Sequence, residues 1–223
     1  MQQPVIIRDL GLVSYADSLD EMQRFTAERN ATTTDEIWLL EHPPVFTLGT
    51  NADASHILNA GDTPIVRTDR GGQVTWHGPG QLVVYLLMDI RRAHIGVREL
   101  VCRLEQAVIA SLENFGIPAN GRAGAPGVYC GDAKIGSVGL RIRRNCSYHG
   151  ISVNVCNDLS PYAGINPCGY EGLTVTRTSD RGGPQSVAEL ADALLPHLMS
   201  RLEFVRSPDE ALRAIRVPGI NRL

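Results

Sequence analysis

Apolar residues recur along the 223-residue chain with two distinct periods. Over 14–29, Tyr15, Leu19, Met22 and Phe25 fall on one helical face and predict an amphipathic helix. The pattern is clearest over 97–115, where Val97, Leu100, Val101, Leu104, Ala107, Val108, Leu112 and Phe115 make one stripe. Gly116-Ile117-Pro118 ends that helix, and Cys102 beside the stripe reads as a packing residue. Ser186 and Glu189 have capping-box spacing and open a C-terminal helix carrying Leu190, Leu194 and Leu198. Pro196 inside that pattern is expected to kink or split it. Extended runs lie at 37–40, 45–48 and 65–67, the first two separated by Pro43-Pro44. The continuous apolar run from Gln81 to Ile90 predicts a central strand buried on both faces. Ile135 to Arg143 and Tyr148 to Val155 flank Arg144-Asn145 and predict a hairpin. With no repeat, linker or low-complexity tract, these elements predict one α+β domain over 1–223 on a mixed, largely antiparallel sheet flanked by helices.

Composition narrows the function classes. The apolar fraction is 43% and the charged fraction 20%, ordinary for a soluble globular chain. A net charge of −3 gives no bulk attraction to nucleic acid. Neither a signal peptide nor a membrane span is expected, since the longest apolar run, Leu82 to Met88, is too short. The expected location is the cytoplasm. Cysteines at 102, 130, 146, 156 and 168 form no CxxC pair and the six histidines form no HxxxH or HExxH, so neither a disulfide framework nor a metal site is expected.

Lys134 is the sole lysine, against twenty arginines. Arginine supplies permanent charge but does not readily release a proton, so a retained lysine points to a tunable amine. Its setting, Gly131 to Gly139, is glycine-rich and apolar, and burial there would lower its pKa. Two further segments carry candidate chemistry. Arg70 to Gln81 holds four glycines and Pro79 in twelve residues, either a close-approach ligand wall or a tight hairpin with a Gly-Pro-Gly turn. His77 within it is a possible base or a structural group. In Ile165 to Tyr170, Cys168 sits between Pro167 and Gly169 outside any periodic element, either as a loop thiol or as an inert buried one. A nearby ammonium would populate its thiolate. A Cys168–Lys134 dyad would suit acyl transfer through a covalent thioester.

These segments, in this order, resemble the lipoyl(octanoyl) transferase family, the lipoate-protein ligase B type. The matching stretches are RGGQVTWHGPGQ (70–81), GVYCGDAKIGSVGLRIRR (127–144) with HGISVNV (149–155), NPCGYEGLTVT (166–176) and EHPPVFTLG (41–49). Family members often have tyrosine at the Trp76 position and alanine at the Gly136 position. The resemblance implies the biotin/lipoate protein ligase fold, with a catalytic core over 30–205. It also implies transfer of octanoyl from octanoyl-acyl carrier protein to a lysine of lipoyl domains, as in 2-oxoacid dehydrogenase E2 subunits and the glycine cleavage H protein. By motif, Cys168 is the acyl-thioester nucleophile and Lys134 activates it. Arg70, Gly71, Gly72, Gln73, Val74, Thr75, Trp76 and His77 match segments that line the acyl substrate. So do Ser137, Val138 and Gly139, and Gly150, Ile151 and Ser152. No cofactor, metal, nucleic acid or membrane is implied.

The chemistry agrees with the resemblance. The donor is already a thioester, so exchange needs no ATP. Burying about six methylenes of an octanoyl chain contributes roughly 5 kcal/mol. Arg141, Arg143 and Arg144 are candidates for docking the acidic carrier. Competing readings are an ATP-dependent lipoate or biotin-type ligase on the same fold, a non-catalytic acyl-binding module, and a cysteine hydrolase using His77 or His149.

Overall fold

The computed structural model describes residues 3–207, 217 and 219–223. Among these described residues, eleven strands and three α-helices follow in the order β1 (Gln3–Leu12), α1 (Tyr15–Glu28), β2 (Asp35–Glu41), β3 (Val45–Leu48), β4 (Ile65–Arg67), β5 (Val74–His77), β6 (Gln81–Leu87), α2 (Val97–Glu113), β7 (Asn120–Gly121), β8 (Val128–Cys130), β9 (Ala133–Arg143), β10 (Cys146–Asn154), α3 (Val187–Arg201) and β11 (Phe204–Arg206). Eight strands form the main sheet in the order β11-β1-β2-β6-β10-β9-β8-β7. β1 runs parallel to β2 and β11, and the other neighbours are antiparallel, which gives the mixed, largely antiparallel sheet expected. A three-stranded sheet, β4-β3-β5, lies apart from it. No helix of the described residues is long and apolar enough to cross a membrane.

Each face of the main sheet buries its own apolar cluster. On one, Ile37, Leu82, Val84, Leu86, Ile151 and Val153 meet Leu100, Leu104, Val108 and Leu112 of α2 and Leu190, Leu194 and Leu198 of α3. On the other, Trp38, Val83, Tyr85 and Tyr148 meet Met22 and Phe25 of α1. β6 is buried along its whole length, as its continuous apolar sequence requires. Leu104→Ala is expected to lower stability by about 2–5 kcal/mol, because the side chain is fully enclosed and its cavity cannot collapse. Urea unfolding checks this through a lower midpoint at unchanged slope.

Several local expectations are corrected. Arg70 to Gln81 is not a hairpin: β5 pairs with β3 in the small sheet and β6 with β2 and β10 in the large one, so the Gly-Pro-Gly turn carries the chain between sheets. α3 is not split by Pro196, whose ring and the Asp192 side chain four residues back are both exposed, where solvent can take the freed carbonyl. Ser186 caps α3 through its hydroxyl, but the Glu189 carboxylate accepts from Gln185 rather than from Ser186. Cys102 is exposed, not packed. Val97 and Val101 also leave the core stripe, Val97 being 43% exposed. The β9–β10 hairpin forms as predicted, with Arg144 and Asn145 both at positive φ as a type I′ turn demands.

Candidate active site

Cys168 and Lys134, thirty-four positions apart, are brought together by backbone pairing. The segment after Cys168 lies alongside β9: Lys134 N–H donates to the Thr174 carbonyl (2.8 Å) and Thr176 N–H to the Lys134 carbonyl (2.9 Å). The segment before it is held by Asn166 N–H donating to the His56 carbonyl (2.8 Å). Between these anchors Pro167–Gly169 makes one 3₁₀ turn, and Cys168 sits at φ +56°, ψ 19°. The left-handed region is strained for a residue with a Cβ and marks sites where the surroundings over-determine the backbone. The Lys134 Nζ donates to Cys168 Sγ at 3.0 Å and to the Pro126 carbonyl at 2.9 Å, and stands 5.2 Å from the centre of the Tyr129 ring. Lys134 is 3% exposed, while Cys168 is half-buried and open to a ligand.

The charge state of Lys134 differs from expectation. Burial alone pulls its ammonium down, as the sequence suggests, but the facing Cys168 sulfur and the Tyr129 phenol outweigh burial and hold it above its ordinary value. The pair is therefore an ammonium set against sulfur.

Beside the pair opens a pocket of about 380 Å³. Its floor is three adjacent strands: Ser137 and Gly139 of β9 stand opposite Ser152 and Gly150 of β10, which stand opposite Val83 and Tyr85 of β6. Small residues along the floor leave room for an elongated ligand. At Gly139 the fit is tight, since an added Cβ would lie 3.1 Å from both Arg70 Cδ and the Gly71 carbonyl. Arg70 to Thr75 close the pocket from the small sheet. The buried Arg70 guanidinium donates to the carbonyls of Thr47 (2.6 Å), Gln73 (2.8 Å) and Gly71 (2.9 Å), so it folds the glycine-rich loop into a wall. At the open end are Val97 and Val101 of α2, Gly124 to Pro126, Tyr170 and Cys168.

The closed end is polar and uncharged where imidazoles meet it. His77 Nδ1–H donates to Gln81 Oε1 (2.7 Å), and burial lowers its pKa to about 3. His42, bridging the Val13 carbonyl and the Tyr85 hydroxyl, is lowered to about 4 by burial. The His149 ring, at backbone φ +59°, is 2.9 Å from Asp69 Oδ1, and burial keeps it below its ordinary pKa despite that carboxylate. Burial works against the Asp69 charge, but hydrogen bonds from His149 and Tyr148 outweigh it and bring the carboxyl to about 2. Among the described residues the polar side-chain partner of Sγ is Lys134, which leaves the histidine-based hydrolase without its base.

Of the anticipated lining residues, Arg70 to Thr75, His77, Ser137 to Gly139 and Gly150 to Ser152 all line the pocket. Trp76 does not. Alternation along β5 turns its ring onto Tyr162 in the apolar cluster of the small sheet. Arg141 and Arg143 stand seven and nine residues along β9 from Lys134, about 23 and 30 Å at ~3.3 Å per residue, at the far end of the strand from the pocket mouth.

The family model for the lipoyl protein ligase A/B catalytic domain matches residues 14–199. The chain belongs to the lipoyl protein ligase A/B catalytic domain family. Within this family it is 53% identical over 205 residues to an octanoyltransferase of Laribacter hongkongensis, covering 92% of this chain and 99% of that one. It is 56% identical over 199 residues to an octanoyltransferase of Chromobacterium violaceum, covering 89% and 96%. Among solved structures, lipoate-protein ligase A bound with ATP superposes with a TM-score of 0.74 at 16% identity, over 95% of this chain and 92% of that one. Biotin protein ligase from Aquifex aeolicus gives 0.52 at 15% identity, over 91% and 70%. At these identities the structural likeness establishes the fold.

Several site residues of this lipoyl ligase A/B family chain escaped the sequence reading. Tyr15 and Tyr85 at the closed end, Val97 and Val101 on α2, and Gly124 to Pro126 at the mouth line the pocket without a motif to announce them. The nearest signal was the turn composition of Ala123 to Gly127, directly before the matched GVYCG stretch.

Proposed function

We propose that this chain is an octanoyltransferase acting through a thioester on Cys168, with Lys134 as its proton-transfer partner. The donor is octanoyl-acyl carrier protein. The acceptor is a lysine of lipoyl domains, in 2-oxoacid dehydrogenase E2 subunits and the glycine cleavage H protein, so the reaction is the first step of protein lipoylation. One observation carries this reading: the 3.0 Å separation of Nζ and Sγ at the mouth of a pocket floored by glycine, serine and valine.

The charge balance of Lys134 suggests how one amine serves both half-reactions. In the free enzyme Lys134 is an ammonium held against the Cys168 sulfur, and the reaction begins when Cys168 attacks as its thiolate. Thiolate attack on the donor carbonyl breaks the donor C–S bond, and Lys134 gives its proton to the departing carrier thiolate. The new thioester sulfur is neutral, so the sulfur's share of the interaction that raised Lys134 is lost and burial, the largest influence on it, shifts the balance toward the free amine. That amine accepts a proton from the incoming lysine as it attacks the thioester. Departure of Cys168 as thiolate then restores the ammonium–thiolate pair. No nucleotide enters, and an ATP-dependent ligase would have no chemical use for Cys168.

The test is intact-protein mass after mixing the enzyme with octanoyl-acyl carrier protein and no acceptor, followed by peptide mapping. The expected result is one hydroxylamine-labile octanoyl group on Cys168, discharged by adding a lipoyl domain. Transfer without any adduct would mean direct attack by the acceptor and would overturn the covalent mechanism. Transfer from free octanoate only with ATP would favour the ligase.

A further inference from the structure

Val97, Val101 and Glu105 are spaced by four along α2, so they share one face, the face turned to the pocket rather than to the core. Val97 and Val101 line the mouth. One turn further on, Glu105 is half-buried against the loop that joins β7 to β8. Its carboxylate accepts the Gly127 N–H at 2.6 Å, and Gly121 packs so closely that an added Cβ there would lie 3.4 Å from Oε2. The residue before Gly127 is Pro126, whose carbonyl accepts from Lys134 Nζ at 2.9 Å. Gly127 itself lies at φ +137°, and a Cβ on it would stand 2.6 Å from Lys134 Cε and 2.5 Å from the Gly136 carbonyl. The loop therefore touches Lys134 along its stem and at its tip, and a side chain on α2 holds the loop.

We propose that Glu105 is a positioning residue for the Lys134–Cys168 pair, acting by clamping Gly127 so that the Pro126 carbonyl fixes the lysine amine against the sulfur. Two acceptors, Pro126 O and Cys168 Sγ, share the Nζ donors, and together they define its position. Without the carboxylate, Gly127 N–H loses its partner at a buried site, and the loop is held at Ala125 by the Tyr129 hydroxyl but no longer at the residue next to the Pro126 carbonyl. Nζ then keeps the sulfur and the Tyr129 ring but loses the fixed carbonyl that sets its direction. Burial raises the Glu105 carboxyl above its ordinary value, and the Gly127 N–H and the Lys134 charge only partly counter that push, so the clamp is mainly the hydrogen bond.

The inference rests on the proposed role of Lys134, so its test reads the dyad both with and without substrate. Glu105→Ala and Glu105→Gln are compared with the unmodified protein. Glutamine keeps the acceptor oxygen for Gly127 and removes only the charge. The first measurement is the alkylation rate of Cys168 by iodoacetamide, assigned by peptide mapping because five thiols are present. The second is turnover of octanoyl-acyl carrier protein at saturating donor. Glu105→Ala is expected to slow both by about 10- to 100-fold, the cost of a misplacement near 1 Å. Glu105→Gln is expected to stay within about threefold; both variants stay folded at the assay temperature, the alanine one with its melting temperature lowered by a few degrees for the unpartnered Gly127 N–H. Unchanged alkylation and turnover in Glu105→Ala would overturn the proposal. So would a glutamine variant as impaired as the alanine one, or losses that merely follow a fall in melting temperature. If the unmodified protein forms no Cys168 adduct, the proposed function fails. If it does and Glu105→Ala acylates at the parent rate, only the clamp fails.

Discussion

Cys168→Ser is expected to cut octanoyl transfer by roughly 10³-fold or more, and to leave no hydroxylamine-labile adduct at this position. The substitution exchanges one atom in a half-buried turn whose backbone, at φ +56°, is equally strained for serine, so the fold should be untouched. What disappears is the ionisable group. A serine hydroxyl does not become an alkoxide beside an ammonium at neutral pH, and no histidine is hydrogen-bonded there to take its proton, since the His77 and His149 contacts run to Gln81 and Asp69. Lys134 should change with it: without the sulfur's contribution, burial weighs more against the Tyr129 phenol and its titration moves down. Intact mass and hydroxylamine treatment read the adduct, and a gel-shift or mass assay on a lipoyl domain reads transfer. Near-normal transfer in Cys168→Ser would show that the acceptor lysine attacks the carrier thioester directly. An adduct mapped to Cys102, Cys130, Cys146 or Cys156 would move the nucleophile elsewhere.

Periodicity made the framework legible wherever a residue's neighbours are local or its burial is one-sided. The stripe of α2, the buried run of β6 and the β9–β10 hairpin all follow from spacing and turn chemistry. β1 was not recognised, because Val5, Ile6 and Ile7 are buried by parallel partners far away in sequence, β2 and β11, and no short-range pattern announces such pairing. The site divides the same way. Motifs located the glycine-rich wall, the small-residue floor and both members of the dyad, because close approach demands unusual residues in fixed places. Val97 and Val101 read as core because a pocket-lining valine and a packed one look alike in sequence. Glu105 was invisible for a related reason: a carboxylate on an amphipathic helix reads as solvated surface until the loop it holds is in view. The apolar surroundings of Lys134 point to a lowered pKa, and they mislead because the first neighbour to oppose burial is the sulfur of a residue thirty-four positions away.

Lys134→Arg separates the two jobs of the amine, and its expected signature is an acyl-enzyme that forms but does not turn over. Arginine keeps a positive charge near Sγ, so the thiolate retains a partner and a first acylation of Cys168 should still be detectable in a single-turnover experiment. The next step needs a base. A guanidinium remains protonated even when burial and loss of the thiolate both favour deprotonation, because its ordinary pKa is above about 12. It cannot accept the proton of the attacking lysine, and loss of such a proton transfer costs about 10²–10⁴-fold. Steady-state transfer should therefore fall by that factor while octanoyl-Cys168 accumulates. Raising the pH should recover part of the rate in the variant, because a growing fraction of acceptor amines arrives already deprotonated. The parent should respond less, since Lys134 as a free amine in the acyl-enzyme supplies the base. Melting temperature controls for crowding, as the lysine stem already packs closely on Gly127. Turnover within a few-fold of the parent would reduce Lys134 to a fixed charge. Loss of the first acylation as well, in a folded variant, would mean that delivery of a proton to the departing carrier thiolate limits the reaction before the acceptor arrives.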